Sequence, residues 1–541
     1  MRRTQLSAGI LAGVALLIGA GCEMMRFPAQ TRLPPPAIPE STDPPARVAR
    51  VSYVQDSVSF RAGGTEGWAP ALLNRPLTDG DELWTQDRTR AELDLGSAAI
   101  RLDSHTYFDI LDLDDRSAQF KITQGIIGVW LRRLDAGDTF EIDTPNAAIT
   151  LLRPGNYRIE VHAGEELTSI TVLEGLAHVA DTTQTFTVFA PQQARVAGAD
   201  GGVYKIVPPA GPDAFDEFSQ TRDRCEEAAQ TARYVSPDVI GYYDLDEFGA
   251  WQVDPVWGPV WTPRNLPAGW APFRFGRWLW IEPWGWTWLD DAAWGFAPFH
   301  YGRWAFLDGR WRWLPGPRHV RPVYAPALVM FTAGGNRGSR DFLWMGRPEV
   351  AWFPLGPGEV YVPPYRCTHG YLTDINITNT TIANPLGLPA VDVVRQKYQN
   401  QAVPGAMTAV AGETFAGGGS IGRAALVVPP RTLMLAKVTG TSAPAAPTLF
   451  SVSPGVGSTT PRPAEADRDR QVLVWRVPAP APVPFERAEA LRKGQPGRPL
   501  DRAILDDLRR AQPSPGLRPV QPAGLSRPGK EDPLMPERRS E

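Results

Sequence analysis

Residues 47–200 alternate between hydrophobic and polar positions in many short runs. Ala91–Leu95 reads apolar, acidic, apolar, acidic, apolar, and Tyr157–Val161 repeats the pattern with Arg158 and Glu160 as its polar members. A period of two places successive side chains on opposite faces of a strand, so each run predicts one buried and one solvated face. Gly, Asp and Pro residues separate the runs as turns do. The pattern predicts a mainly β fold, with a β-sandwich or β-roll over residues 47–200.

The alternation stops after this domain, and residues 205–245 are typical of a helical connector. Asp213 is a suitable N-terminal cap, and Ser236-Pro237 ends the helical pattern. We expect a helix over 213–234 whose packing face carries Phe215, Phe218, Cys225, Ala229 and Ala232.

Residues 246–320 contain an internal repeat, and thirteen of the 19 tryptophans lie between Trp251 and Trp313. The segment Gly269–Trp278 recurs as Gly295–Trp304 with seven of ten positions identical, and a degenerate copy precedes both. Each copy continues as a short strand, an acidic turn and a second strand. The repeat therefore predicts three β-hairpins, which we expect to stack in succession as an antiparallel meander.

The Trp-rich strands allow two interpretations. Trp284, Trp286 and Trp288 would share one face of a strand, and a flat aromatic row can stack on sugar rings. The same row can instead be the core of a small β-unit, because Trp buries a large area per residue and Arg can stack on its ring. Both interpretations stay open, and the side chains that a ligand would contact are Trp278, Trp284, Trp286, Trp288, Trp304, Arg277 and Arg303.

Two further segments follow the repeats. Residues 321–440 are less periodic and extend the Trp-rich domain. Residues 441–541 are rich in Pro and Ala, so we expect a mostly disordered tail that favours polyproline II. Within this tail, Val472–Trp475 predicts a short strand and Leu500–Arg510 a short amphipathic helix.

The N-terminus is typical of an exported protein. Residues 1–21 combine two arginines with a short uncharged apolar stretch, as in a secretory signal. Small residues directly before Cys22 resemble a bacterial lipobox, although Gly19 stands where Leu, Val or Ile is usual. We expect Cys22 to carry lipid, with a cleaved secretory signal or an uncleaved anchor as alternatives, and a Pro-rich tether over 22–46. Because Glu23 is not the Asp of inner-membrane retention, the expected location is the outer membrane, facing the periplasm.

Composition narrows the chemistry. The net charge of −4 gives no basic surface for nucleic acid. Six scattered histidines lack metal-ligand spacing, so we expect no bound metal. No cofactor motif or catalytic constellation is recognisable, so we expect no cofactor and no enzymatic activity. If Cys22 is lipidated, Cys225 and Cys367 remain as an even pair in an oxidising compartment, either disulfide-bonded or as separate thiols.

The β-domain resembles the FecR domain. An ordered series of motifs carries the resemblance: Leu77–Thr85, Gly125–Val129, Thr144–Ala147, Gly155–Arg158 and Val172–Gly175. FecR itself holds a sigma factor in the cytoplasm, crosses the inner membrane once, and senses an outer-membrane transporter with its β-domain. Neither a cytoplasmic head nor a spanning helix is recognisable here, so the resemblance implies a binding module rather than direct sigma-factor control.

The region after the connector resembles an uncharacterised Trp-rich domain often found behind FecR-like domains in secreted proteobacterial proteins. The repeats and the run Trp352–Glu359 carry this resemblance, which implies no activity.

These patterns leave three hypotheses. The first is a non-catalytic envelope lipoprotein that binds or scaffolds an envelope protein or cell-wall glycan. The second is an envelope signalling component that works with a separate membrane regulator. The third is a glycan-processing enzyme, which requires two carboxylates roughly 5–10 Å apart in a cleft.

Overall fold

The computed structural model describes residues 43–198, 203–333, 349–383, 385–427, 436–457, 459–512 and 516–520. Strands dominate its regular structure, which confirms the mainly β fold. The strands before the first α-helix are β1 (Ala49–Gln55), β2 (Val58–Arg61), β3 (Trp68–Pro70), β4 (Pro76–Leu77), β5 (Glu82–Thr85), β6 (Arg90–Asp94), β7 (Ala98–Leu102), β8 (Tyr107–Leu113), β9 (Ser117–Leu131), β10 (Thr139–Asp143), β11 (Ala148–Leu151), β12 (Gly155–His162), β13 (Leu167–Val172), β14 (Leu176–Ala180), β15 (Thr185–Phe189), β16 (Gln192–Ala197) and β17 (Val203–Val207).

Strand β9 belongs to two sheets. Its first half pairs with β8 and β10, and its second half, from Gly125 onward, pairs with β7 and β12. The first sheet runs β4-β1-β6-β7-β9-β12-β13-β16-β17, and the second runs β3-β2-β5-β8-β9-β10-β11-β14-β15. Gly125 has φ 93°, and a Cβ there would lie 2.4 Å from the Cα of Thr106. The junction of the two sheets therefore requires glycine.

The two sheets pack their apolar faces together. Phe120 lies 5.2 Å from Phe108 and 5.4 Å from Phe140, measured between ring centroids. Ile100 and Ile159 of the first sheet are fully buried in the same cluster. The inward positions of the alternating pattern therefore form the core that the sequence predicts. Apolar burial of this kind contributes about 25 cal/mol per Å².

Helix α1 (Ala214–Glu227) covers the polar face of the first sheet. Asp213 caps it as predicted, accepting backbone N–H bonds from Phe215 and Asp216 at 2.8 and 3.0 Å. The helix ends seven residues earlier than expected, since a 3₁₀ turn follows at Gln230–Arg233. The side chain of Asp246 accepts the amide of Thr231 at 3.0 Å and so fixes that turn.

The polar positions of β6 are not solvated, contrary to the prediction. Glu92 and Asp94 are each 2 % exposed, because α1 lies over them. The packing face of α1 also differs from the apolar one expected: Cys225 is exposed, whereas Arg222 and Glu226 point toward the sheet and pair with its charges. Ion pairs, rather than an apolar stripe, dock much of this helix.

The three hairpins form at the predicted acidic turns: β18 (Gly249–Asp254) with β19 (Gly258–Pro263), β20 (Gly276–Ile281) with β21 (Gly285–Asp290), and β22 (Arg303–Leu307) with β23 (Arg310–Leu314). The expected stacking in succession is wrong. The first and third hairpins share a sheet through the pair Trp261–Trp313, whereas the second is a separate two-stranded sheet. The reason is packing, since Trp278 of the second hairpin contacts Phe331 and Trp352 beyond the repeats.

A third region follows the hairpins. Strands β24 (Val329–Ala333), β25 (Glu349–Pro354), β26 (Thr408–Ala411) and β27 (Lys437–Gly440) form a sheet in the order β26-β25-β24-β27. The remaining short helices are Ala163–Glu165, Tyr242–Asp244, Leu245–Phe248, Ala297–His300, His369–Ile377, Pro385–Ala390, Asn400–Ala402, Gly412–Ala416, Ile421–Ala424, Leu449–Val452, Glu465–Arg468, Phe485–Arg492 and Arg502–Arg510.

Both islands predicted in the Pro-rich tail are ordered. Strand β28 (Val472–Val474) pairs in parallel with β29 (Leu517–Pro519), and the expected helix spans Arg502–Arg510. The ordered part of the segment is larger than these islands, because backbone groups of Pro461, Arg468 and Arg476 accept bonds from side chains on the polar face of the second sheet. Composition alone does not reveal such a docking surface. Residues 521–541 lie outside the described part of the chain.

Candidate functional site: a charged row beneath the C-terminal segment

A row of charged side chains crosses the outer face of the second sheet. Five adjacent strands each contribute one residue at the same level of the sheet. In strand order β2, β5, β8, β9 and β10, these cross-strand neighbours are Arg61, Glu82, Asp109, Lys121 and Asp143. Side chains opposite each other share a face, with Cβ atoms about 4.5–5.5 Å apart. We call these five residues the charged row. Two carboxylates face each other within it, and each has a cation on its other side.

Residues 459–485, which we call the cover segment, lie over this face. Three side chains of the sheet donate to its backbone oxygens: Ser59 to Pro461 (2.6 Å), Lys121 to Arg468 (3.0 Å) and Gln119 to Arg476 (2.9 Å). In return, the backbone amides of Trp475 and Arg476 donate to Glu141 Oε1 at 2.7 and 3.1 Å. All five bonds go to backbone groups of the cover segment rather than to its side chains.

A cavity of about 550 Å³ remains between the row and the cover segment. Arg61, Glu82, Asp109 and Lys121 line its floor, and Pro478, Ala479, Ala481 and Pro482 line its roof. Glu82 is 5 % exposed, and its Oε1 accepts a bond from Arg61. Its Oε2 has no hydrogen-bond partner among the described residues. The size suits a small ligand or side chain, since such sites measure about 300–1,000 Å³.

Burial shifts the pKa values along this face. It raises the pKa of Asp109 and lowers that of Lys121, and the opposite charge of each partner moderates the shift of the other. Burial also raises the pKa of Glu141 and of Asp143, and the charge of Glu141 raises that of Asp143 further. Carboxyl groups that hold their protons can donate as well as accept hydrogen bonds.

The sequence analysis did not identify this site. Asp109 lies within β8 and lines the cavity. The sequence pattern does place Asp109 on the outer face of the sheet, because it stands between the apolar Phe108 and Ile110 in an alternating strand. The register of five strands was still needed to bring together residues spread between positions 61 and 143.

The Trp residues named as ligand contacts are core residues. Trp278, Trp284, Trp286, Trp288 and Trp304 are all 4 % exposed or less. Trp288 packs edge-on against Trp278 at 5.5 Å and donates its indole N–H to Asp290 at 3.0 Å. The tryptophans of the second hairpin are therefore buried rather than exposed, because the strands of this hairpin lie against β24 and β25.

The two arginines of the repeat differ. Arg303 is 1 % exposed and donates to the backbone oxygen of Glu359 at 3.1 Å, so it holds the hairpin to the following loop. Arg277 is half-buried. Arg303 therefore cannot contact a ligand from solvent.

Cys225 and Cys367 are not bonded to each other. Cys225 lies on the solvent side of α1, whereas Cys367 is partly buried ahead of the helix His369–Ile377. Burial, together with the charge of Asp43, raises the pKa of Cys367 to about 11. Separate thiols are therefore the alternative that the structure shows. Cys22 and most of the predicted tether lie outside the described residues.

Among the described residues, no helix is both long and apolar enough to cross a bilayer. Within the same residues, no three His, Cys, Asp or Glu side chains gather closely enough to hold a metal ion.

Residues 242–359 match the model of a family of unknown function, DUF6600. The match begins where the Trp-rich domain was expected and includes all three hairpins. No curated protein sequence matches this chain.

Two crystal structures described as a candidate anti-sigma factor from Parabacteroides distasonis ATCC 8503 are similar in part. One is 16 % identical with a TM-score of 0.22, over 24 % of this chain and 59 % of that one. The other is 15 % identical with a TM-score of 0.22, over 26 % of this chain and 64 % of that one. This chain thus spans less than two thirds of either.

Proposed function

We propose that this chain is a non-catalytic binding and scaffolding protein of the bacterial cell envelope, whose charged row holds an extended segment of a partner protein. Glu82 carries the proposal. Its Oε2 is buried at the cavity wall, and no described residue forms a hydrogen bond with it. Leaving a buried polar atom unpaired costs about 1–3 kcal/mol, and more for a charge. A donor group supplied by a partner would remove this cost.

The chemistry of the face favours a polypeptide. Gln119, Lys121 and Glu141 already bind backbone groups of the cover segment. After the short helix Glu465–Arg468, this segment is mostly extended and rich in Pro and Ala. Two charged residues of this segment, Arg468 and Asp469, line the cavity, and its other lining residues there are Pro478, Ala479, Ala481 and Pro482. A partner strand with a basic residue at the level of Ala479 would keep the backbone contacts and pair with Glu82. The cover segment then acts as an internal competitor that the partner replaces.

A peptide-binding experiment tests this. Leu473 is 2 % exposed in a small cluster with Ala148, Ala180 and Val520, so Leu473→Asp should release the cover segment from the full chain. Limited proteolysis confirms the release. Labelled peptides spanning residues 468–485, with the native sequence or with Ala479→Lys, are then titrated. The unmodified chain should bind both weakly, because its tethered segment competes at about millimolar effective concentration.

We expect the released chain to bind the native peptide, and to bind the Ala479→Lys peptide about tenfold more tightly through a charge-assisted bond to Glu82. Glu82→Gln in the released chain should abolish the gain, whereas Arg88→Gln, at a highly exposed residue, should not. A released chain that binds neither peptide, or binds both equally, would contradict the proposal.

Envelope location is part of the same proposal. Lipid on Cys22 would hold the chain at a membrane, and several acyl chains anchor stably where one does not. Metabolic labelling with an alkynyl fatty acid should mark the native chain and not Cys22→Ala, and the variant should leave the membrane fraction. An equally labelled, equally membrane-bound variant would exclude this anchor.

A second candidate function is glycoside hydrolysis. Glu82 and Asp109 face each other in the cavity, and retaining glycosidases use carboxyl groups about 5–5.5 Å apart. The pKa of Asp109, raised by burial, suits a general acid. Release of reducing ends from purified peptidoglycan, lost in both Glu82→Gln and Asp109→Asn, would support hydrolysis over binding.

The resemblance of the β-domain to FecR supports a signalling alternative. In that case the partner strand would belong to a separate membrane regulator. The regulator should then crosslink to the face of the second sheet that carries the charged row.

A further inference from the structure

An open groove of about 640 Å³ lies where the first and third hairpins meet the loop that contains Pro404 and Gly405, on residues outside the charged row. It runs between the loop after β19 and the tip of the third hairpin. Its walls include Arg264, Leu266, Trp270, Phe306, Arg310 and Gly405. None of these residues was named as a ligand contact by the sequence pattern.

The groove is positively charged. Arg264, Arg274 and Arg310 line it, and no Asp or Glu is among the described residues of its lining. The nearby hairpin tips carry Asp254 and Asp308, and both pair with Arg312 at 3.7 and 2.9 Å. The tips and walls together hold four arginines against two aspartates. An anionic ligand is therefore favoured, although the whole chain is acidic.

The groove also offers flat apolar surface. Phe306 is 38 % exposed, and its ring is fixed edge-on against Trp311 at 5.3 Å. Trp270 is half-buried and packs edge-on against Trp304 at 5.5 Å. An exposed ring held by a second ring presents one fixed face at little further entropic cost. Such a face matches the apolar side of a pyranose.

Glycines leave room for a ligand to approach the backbone. Gly269, Gly309 and Gly405 have φ of 71°, 76° and 80°, and within the described part of the chain a Cβ at any of them would meet no atom within 4 Å. Arg274 fixes the distance between two walls, because it donates to the backbone oxygens of Gly269 and Gly405 at 2.8 and 2.6 Å. Arg274 is thus a positioning residue. Arg264 donates from Nη2 to the backbone oxygen of Gly249 at 2.6 Å but is an exposed residue, and with the exposed Arg310 it provides the cations that face a ligand.

We propose that this groove binds an acidic polysaccharide. Arg264 and Arg310 pair with the sugar carboxylates, and a pyranose ring stacks on Phe306. Guanidinium groups bind carboxylates in a bidentate manner, which gives direction as well as charge. An acidic peptide would satisfy the arginines and leave the aromatic face unused, so the combination of the two favours a uronate-type sugar.

The test uses the full chain and three probes in calorimetric titrations: an oligogalacturonate, its methyl ester, and an oligoglutamate of equal charge. The methyl ester keeps the rings and removes the charge. Variants are Arg310→Gln and Phe306→Ala, both at exposed positions, with Arg88→Gln as the matched control. Thermal unfolding confirms that each variant is folded.

We expect the oligogalacturonate to bind about tenfold more tightly than its methyl ester and than the oligoglutamate. Arg310→Gln should weaken oligogalacturonate binding about fivefold or more, and Phe306→Ala should weaken both sugars, while Arg88→Gln changes neither. Three results would overturn the proposal: no oligogalacturonate binding, equal binding of sugar and oligoglutamate, or equal effects of Arg310→Gln and Arg88→Gln. None of them bears on the charged row, whose test uses different site variants and different probes.

Discussion

Glu92 and Arg101 are direct cross-strand neighbours on β6 and β7, and Arg101 Nε donates to Glu92 Oε2 at 2.7 Å beneath α1. Arg222 of the helix donates to the same carboxylate at 2.6 and 3.0 Å. Burial opposes ionisation of Glu92, but the bonds from Arg222 and the charge of Arg101 prevail and lower its pKa to about 2. The helix is therefore joined to the sheet by a carboxylate that stays charged.

Glu92→Gln should lower the free energy of unfolding by about 3 kcal/mol at pH 7. It removes the carboxylate that Arg222 binds, and it leaves the buried Arg101 with Asp223 as its remaining carboxylate partner, at 2.6 Å. A lowered folded pKa gives stability that is present above the unfolded pKa and lost as pH falls. The difference from the native chain should therefore shrink between about pH 4.5 and pH 2. Urea unfolding across this range is the measurement. Asp87→Asn, at an exposed site, is the control, and a pH-independent difference would contradict the ion-pair account.

Trp278→Ala should destabilise the repeat domain by about 3–5 kcal/mol, because it empties a fully buried site. Trp278 touches Trp288, Phe331 and Trp352 at once. Trp257 is 40 % exposed, and Trp257→Ala should cost less than about 1 kcal/mol. Chemical unfolding of both variants compares them. Similar losses would mean that the second hairpin is not the centre of this core.

Glu141→Ala should loosen the cover segment without unfolding the sandwich. The carboxylate accepts the amides of Trp475 and Arg476, so its removal should speed hydrogen exchange of these two amides about tenfold or more. Exchange in α1 should not change, since that helix lies on the other sheet. Unchanged protection at Trp475 would show that other contacts suffice to hold the segment.

The two described cysteines should differ in reactivity. Exposed Cys225 should react with a maleimide in the folded protein, whereas Cys367, with its pKa raised to about 11 by burial, should react at least about tenfold more slowly. Peptide mapping after labelling at pH 7.5 measures both. A Cys225–Cys367 crosslink recovered under non-reducing conditions would overturn the arrangement.

Local patterns predicted local structure well. Asp213 begins a helix because its side chain caps the first turn, and the three acidic turns close three hairpins, since both features depend on a few neighbouring residues. The alternation in β6 also separated inward from outward side chains correctly. What it did not reveal is that Glu92 lies under a helix more than 100 residues later in the chain.

The charged row could not be predicted either, because its neighbours are far apart in the chain. Asp109 and Lys121 become neighbours only through the register of β8 and β9, and the cover segment reaches them from beyond residue 460. Pro-rich composition describes how a chain behaves alone. It does not describe a chain that finds matching acceptors, such as Glu141, on a folded sheet.

The pair Trp261–Trp313 joins the first and third hairpins across 52 positions, and this has a consequence for folding kinetics. Each hairpin can close on its own within microseconds, but the shared sheet must wait for a long loop to close. The second hairpin lies inside that loop, and its folding shortens the span that remains to be searched. Lengthening the connections around it should therefore slow assembly of the sheet while leaving each hairpin intact. Folding of the second hairpin would then set the rate at which the shared sheet assembles.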